Sequence, residues 1–312
     1  MNTIGIDVSM DSFHAAFPDT QVIRFKNSEQ GIRLFIHTLK EKQCTRSTTT
    51  IGLEATGVYH LLLCTRLKEQ NFRVIVLNPL VASQMGASLR KLKTDIHDAL
   101  AISKIVIGGC GYEFTDTSDT LSLKALLSER EGLRRMLVAT KGRLHAHRVR
   151  ALSLKGRTHT SFTRIQKTLK TEMKKIERKL SLYAQDTQTL LRSIPGIGSL
   201  SAAALVGFVG DIHRFATPER LVAYIGVDCR VHQSGTSVHG KGYISKRGNG
   251  FLRSLLFNAA FIATRRNPEL RQYYERKRDE GKHHTSVLCA IERKLIHTIW
   301  AVWTRGTPFE KR

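Results

Sequence analysis

Acidic residues are scarce in this chain. Against 50 Lys and Arg it sets only 26 Asp and Glu in 312 residues, a formal net charge of +24 and a pI near 10.2. Such a deficit excludes a protein that holds polyanions away and asks for one that gathers them, nucleic acid before all others. Cysteines are few and scattered: Cys44, Cys64, Cys110, Cys229 and Cys289 form no CxxC and have no histidines at zinc spacing. That argues against a disulfide framework or a zinc module and predicts buried thiols in a reducing cytosol. No apolar run reaches the roughly 18–20 residues of a membrane span. Met1 leads straight into an apolar strand, without a leader pattern. The expectation is a cytoplasmic protein with no membrane partner. The only two tryptophans, Trp300 and Trp303, sit in a helical C-terminal stretch and read as core rather than as stacking platforms.

What is present is a globular composition, 41% apolar, long enough for two domains with cores of their own. The positive charge is unevenly spread. Residues 1–120 carry 13 basic against 12 acidic side chains, 121–192 carry 18 against 5, 193–228 carry 2 against 3, and 229–312 carry 17 against 6. A nearly neutral N-terminal third is thus followed by two blocks that supply the whole excess. The blandest reading of those blocks is solvated helical surface, but their one-sidedness favours a polyanion. Charge alone does not choose between RNA and DNA.

The N-terminal third is organised around Ile4-Gly5-Ile6-Asp7-Val8-Ser9, an apolar strand with a carboxylate in its middle. A lone carboxylate in that setting is costly, so Asp7 needs a metal ion or a cluster of other acids around one. Apolar alternation predicts three antiparallel strands, 2–8, 12–17 and 21–26. A helix follows over 31–39, a strand over 49–54, a helix over 57–70, and a strand over 73–77 stopped by Asn78-Pro79. After the basic loop of Arg90, Lys91 and Lys93, Thr94 is placed as N-cap of a helix through Val106. Three strands and then alternating helix and strand is the order of a ribonuclease-H-like α/β domain. Glu54 would end a strand parallel to that of Asp7, while Asp95 and Asp98, three apart, would share one helix face. Acids in a first turn also suit the helix dipole, so capping by itself accounts for that pair. An oxygen-only set of four suits Mg²⁺ or Mn²⁺ and the displacement of phosphodiesters.

From Leu121 to Leu191 the pattern is long helix. Leu126, Leu133, Leu137 and Leu144 keep a loose heptad, and Leu169, Met173, Ile176, Leu180, Tyr183, Thr187 and Leu190 a stricter one, with a break at Gly156–Ser161. The prediction is a basic helical hairpin or coiled coil able to dimerise, to clamp nucleic acid, or merely to link domains. Ile194-Pro195-Gly196-Ile197-Gly198 then matches a helix-hairpin-helix turn, with Gly196 and Gly198 allowing close approach to phosphates. A tight turn between packed helices would use the same residues. Lys241, Lys246, Arg247 and Arg253 are further candidate nucleic-acid contacts, and Asn249 is a candidate N-cap. Ser234, in the glycine-flanked Gln233-Ser234-Gly235, is a candidate nucleophile, although Thr236 and Ser237 offer hydroxyls too. A serine hydroxyl needs a metal or base beside it, and the four carboxylates are the evident source of one.

IGIDVS, LEATGVYH and KTDIHDA, followed by IPGIG, HQSG and ISKRGNGFLR, resemble over nearly the whole chain the insertion-sequence 110 family of bacterial transposases and the Piv-like DNA invertases. The resemblance implies a RuvC-like (ribonuclease-H-like) domain over 1–120, a coiled coil over 121–191, and a mostly α C-terminal transposase domain over 192–312. It further implies Asp7, Glu54, Asp95 and Asp98 as ligands of Mg²⁺, and Ser234 as the residue that links covalently to DNA. The partners it implies are donor and target DNA, an element-encoded bridge RNA, and copies of the chain in dimers to tetramers within the bacterial nucleoid. Two rivals share the first half of the pattern. A Holliday-junction nuclease would use activated water and no serine. An actin-like ATPase also begins IGIDxS, but it needs glycine-rich nucleotide loops and has no use for the charge.

Overall fold

Alternation along Asn2–Val8 buries Ile4, Ile6 and Val8 on one face of a strand and leaves Gly5 and Asp7 to the other. In the computed structural model this strand, β1, lies inside a six-stranded sheet. The structure describes residues 2–79, 82–85, 95–151, 160–230, 233–234, 238–239, 243–246 and 248–310. The chain divides into two compact units, Met1–Thr115 and Asp116–Arg312.

In the first unit, β2 (Ser12–Ala16) and β3 (Val22–Lys26) continue β1 as an antiparallel meander, as the sequence predicts. Helix α1 (Glu29–Glu41) starts at Ser28, whose side chain accepts the Gly31 N–H. β4 (Thr49–Glu54) and β5 (Arg73–Leu77) join β1 in parallel, and the short β6 (Tyr112–Glu113) closes the order β3-β2-β1-β4-β5-β6. Two residues carry no periodicity, so β6 escapes sequence reading. The helix expected from Gly57 begins later, as α2 (Leu61–Glu69), because Gly57 at φ +54° opens a turn instead. Helix α3 (Asp95–Ile107) falls where predicted. Its expected cap Thr94, and Arg90, Lys91 and Lys93, lie outside the described residues.

The two faces of the sheet are covered differently. Val8 pairs with Phe13, and Phe13, Phe25 and Phe35 form an aromatic knot with centroids 5.2–5.4 Å apart, so α1 covers the Ile4–Ile6–Val8 face. Helix α3 lies on the opposite face against β1, β2, β4 and β5. It passes directly over Gly5 and Gly52, where a Cβ would overlap the Ala99 carbonyl oxygen and the Val106 side chain respectively.

The second unit is helical. Helices α4 (Ser118–Ala151) and α5 (Thr160–Leu180) form an antiparallel pair, with Arg130 Nη2 2.6 Å from Glu177 and the His147 and Phe162 rings 5.1 Å apart. Of the expected break, Thr160 and Ser161 are already helical, and residues 156–159 lie outside the described residues. The expected heptad continuity fails at its far end. Leu169, Met173, Ile176 and Leu180 lie on α5, but the chain turns over 181–184, with Ala184 at φ 45°, before α6 (Gln185–Arg192). The reason is Gln188: buried, it donates from Nε2 to the Leu180 and Tyr183 carbonyls at 2.8 and 2.7 Å. That satisfies carbonyls a continuous helix would have bonded itself.

Helix α7 (Ser199–Val209) is buried nearly all round, as a core helix must be. Around it gather Leu123 and Leu127 of α4, Ile176 and Leu180 of α5, α8 (Pro218–Ile225), α9 (Gly250–Arg266) and α11 (His284–Arg305), with α10 (Pro268–Asp279) against α9 and α11. Trp300 and Trp303 pack on that core, and Trp300 Nε1–H donates to the Phe215 carbonyl at 2.9 Å. Cys44 and Cys64 are buried but Cys110 and Cys289 only half-buried, so the expectation of buried thiols holds for two of these four, and the side chain of Cys229 lies outside the described residues. Among the described residues no helix is long and apolar enough to cross a membrane.

Candidate active site

Strand parity brings the first two acids together. Gly5 and Gly52 are register partners, and the last pair of that ladder is Ile6 and Leu53. Asp7 and Glu54 each stand one residue further, so they are neighbours on adjacent parallel strands. Each lies two residues beyond its glycine, hence on the face that α3 covers. Both are half-buried. The first turns of α3 carry Asp95 and Asp98. Asp98 is half-buried with Oδ1 shielded from solvent, while the side chain of Asp95 lies outside the described residues. Among the described residues, no three His, Cys, Asp or Glu are gathered as a group able to hold a metal ion.

The loops that leave the two acid-bearing strands are tied by a residue that sequence reasoning missed. Asn27 Nδ2 donates to the Ser9 carbonyl at 2.9 Å and to the Tyr59 carbonyl at 3.0 Å. Ser9 follows Asp7 by two residues, and Tyr59 follows Glu54 by five. The bonds span 18 and 32 positions of sequence, so no local pattern announces them.

In the second unit, Ser234 lies on β8 (Gln233–Ser234), which pairs antiparallel with β9 (Val238–His239), Ser234 opposite Val238. A second ladder, β7 (Cys229–Arg230) with β10 (Tyr243–Ile244), encloses the first in sequence. Thr236, Ser237, Lys241 and Arg247 lie outside the described residues, as does the side chain of Ser234. The base of the arm is held firmly. Ser245 N–H donates to the Asp228 carbonyl at 2.9 Å, Ser245 Oγ to the Asp228 carboxylate, and Lys246 N–H to the Gly226 carbonyl at 3.0 Å. Asn249 caps α9 by accepting from Phe251 and Leu252 N–H, as the sequence suggests.

The candidate nucleic-acid contacts fall into different settings. Gly196, at φ +97°, backs onto α9 so closely that a Cβ would overlap the Ala259 carbonyl oxygen, and its missing side chain serves helix packing. Gly198 is exposed at the N-cap of α7, and Lys246 is exposed at φ 55°. Arg253 Nη1 donates to the protein's own backbone, to Ile225 and Gly248 carbonyls at 3.1 and 2.7 Å. On the α4–α5 pair, Arg130 and Arg134 are engaged by Glu177 and Glu131, and Arg134 holds the Glu131 carboxyl below its ordinary range. Lys141, Arg143, Lys167, Lys170 and Lys174 are exposed. Near the core, Glu292 of α11 is 2% exposed, and burial pushes its carboxyl up to about 8 against the pull of Arg253.

Comparison with known proteins places both units among transposases. Residues 4–152 match the DEDD_Tnp_IS110 transposase family, and residues 188–275 match the Transposase IS116/IS110/IS902 family. The chain is 30% identical to the pilin gene-inverting protein of Moraxella lacunata and 29% identical to that of Moraxella bovis. Each alignment covers 99% of this chain and 98% of the relative. It is 33% identical to the transposase for insertion sequence element IS1111A of Coxiella burnetii over 43% of this chain and 37% of the relative.

Proposed function

The chain belongs to the IS110/IS116/IS902 transposase family, whose members are DNA strand-transferring enzymes, and from that premise we propose that it recombines DNA through Ser234 with Asp7, Glu54, Asp95 and Asp98 as a metal-holding set. The observation that carries the reading is the adjacency of Asp7 and Glu54 on one face of β1 and β4, the face that α3 also covers. Two carboxylates side by side repel unless a cation or proton joins them, and an all-oxygen donor set fits Mg²⁺ or Mn²⁺. When bound, such an ion supplies Lewis acidity toward phosphoryl oxygens.

The reaction assigned to the chain is transesterification. Ser234 Oγ attacks the phosphorus of a DNA phosphodiester, giving up its proton as the serine–phosphorus bond forms. The bond to one deoxyribose oxygen breaks, and that oxygen leaves as a hydroxyl. A hydroxyl from another strand then attacks the phosphoserine, remaking a phosphodiester and returning the serine. Bonds made equal bonds broken, so no nucleotide cofactor is consumed. The basic blocks hold donor and target DNA, and an element-encoded bridge RNA that pairs with both, by phosphate contacts. Copies of the chain, up to four, bring the serine of one to the acids of another within the bacterial nucleoid.

The full-length Moraxella relatives are named for gene inversion, which favours a second reading: the same exchange run between two sites of one molecule without an RNA guide. A plasmid bearing the coding sequence in its native flanking DNA separates the possibilities. Full activity from Ser234→Ala would leave a metal-dependent junction nuclease and sink the serine mechanism. A discrete, element-derived RNA copurifying with the protein is the expected result for guidance, and random fragments alone would favour unguided inversion.

A further inference from the structure

The residues flanking the Ser234 arm converge on one side chain. The 229–244 arm follows α8, whose helical residues end at Ile225, and precedes α9, which Asn249 caps. The last carbonyls of a helix have no partner inside it and carry partial negative charge, so a cation there is stabilising. Arg253, in the first turn of α9, meets that need. One nitrogen, Nη1, donates to the Ile225 carbonyl on the outgoing side and to the Gly248 carbonyl on the returning side. Gly248 itself lies so close to α8 that a Cβ would overlap the carbonyl oxygens of Tyr224 and Ile225. The two ends of the arm therefore meet backbone to backbone, with a guanidinium bonded to both.

The surroundings favour that use of the charge. Glu292 of α11 is the buried acid that feels Arg253, and burial keeps it protonated over much of the neutral range. Its Oε1 has no hydrogen-bond partner, so Arg253 is not drawn away from the carbonyls by an ion pair with that atom.

We propose that Arg253 is a positioning residue for the nucleophile: it clamps together Ile225 and Gly248, which flank the 229–244 arm on its outgoing and returning sides, and so fixes where Ser234 is presented. The proposal rests on the reading of Ser234 as nucleophile. It differs from the sequence-based assignment of Arg253 as a phosphate contact, and the two make opposite forecasts. If Arg253 binds a phosphate, its removal weakens affinity for any DNA and lowers the salt dependence of binding. If it clamps the arm, its removal leaves ground-state binding intact and slows the covalent step.

The test compares wild type, Arg253→Ala, Arg253→Lys and Ser234→Ala as full chains. Covalent protein–DNA adduct is measured on nicked duplexes cut from the native flanking DNA, affinity on a labelled duplex of arbitrary sequence across a salt series, and hydrogen exchange at residues 225–249. In Arg253→Ala, affinity and salt slope should hold within about two-fold while adduct formation falls about ten-fold or more and exchange at the arm's base quickens. Arg253→Lys, which keeps a charged donor, should recover part of the rate and guards against a variant that merely fails to fold. Weaker affinity with a shallower salt slope in Arg253→Ala overturns the clamp in favour of phosphate binding, and unchanged exchange at 225–249 overturns it outright. Adduct formed by Ser234→Ala instead overturns the serine assignment, a failure visible apart from the exchange result.

Discussion

Gly5 and Gly52 stand opposite one another in the β1–β4 ladder, and α3 lies directly on both. Their missing side chains let the acid-bearing helix lie close over the strands that carry Asp7 and Glu54. The close approach is backbone against backbone at Gly5 and backbone against a valine side chain at Gly52. Alanine at either position should destabilise the first unit, within the 1–3 kcal/mol or somewhat more usual for overpacking. Gly5→Ala should cost more, since a helix backbone cannot step aside. Val106→Ala should restore part of the stability missing in Gly52→Ala and none in Gly5→Ala, a difference that denaturant melts of the double variants would reveal.

Asn27 offers a test of how the site is held. Removing its two hydrogen bonds with Asn27→Ala should cost about 1–2 kcal/mol of stability. Asn27→Asp should cost more, because a carboxylate cannot donate and would face the carbonyls of Ser9 and Tyr59. Both variants should need a higher Mg²⁺ concentration for half-maximal strand exchange, as the loops after Asp7 and Glu54 come apart. An unchanged metal requirement would confine Asn27 to a structural role.

Metal removal bears on the acids directly. Mg²⁺ or Mn²⁺ should raise the melting temperature of the wild-type chain by binding the folded form. Asp7→Asn or Glu54→Gln should abolish that rise, together with strand exchange. A variant that keeps the metal-induced rise would remove its residue from the ligand set.

Glu292 predicts a pH dependence of stability. Its ordinary value is 4.5, and in the fold it is pushed up to about 8 by burial. The folded state thus holds a proton that the unfolded chain releases. The contribution of this group is fully present below about 4.5 and is lost as pH rises to about 8, with a slope of up to roughly 1.4 kcal/mol per pH unit. Glu292→Gln should match wild type near the acid end of that window and exceed it in melting temperature near the alkaline end. Parallel curves for the two proteins would show that the carboxyl titrates normally.

Much of the first unit was legible from residue order. β1, β4 and β5 run where apolar alternation and the Asn78-Pro79 stop put them, since period and turn chemistry are local properties. Likewise Asn249 declares itself as a cap by standing before an apolar run. What stayed hidden depends on residues distant in sequence. Gln188 ends α5 where the heptads continue, Gly196 turns its bare Cα to α9, and Arg253 spends its hydrogen bonds on carbonyls 28 and 5 residues away.

The amino-acid order by itself determined which carboxylates end or interrupt apolar strands, where the positive charge accumulates, and which serine stands beside a glycine. Those are matters of composition and period. Tertiary structure alone decided that Asp7 and Glu54 are neighbours, that Asn27 ties their loops, and that Arg253 faces inward. Register and helix packing set those relationships, and neither is written in any short stretch of chain.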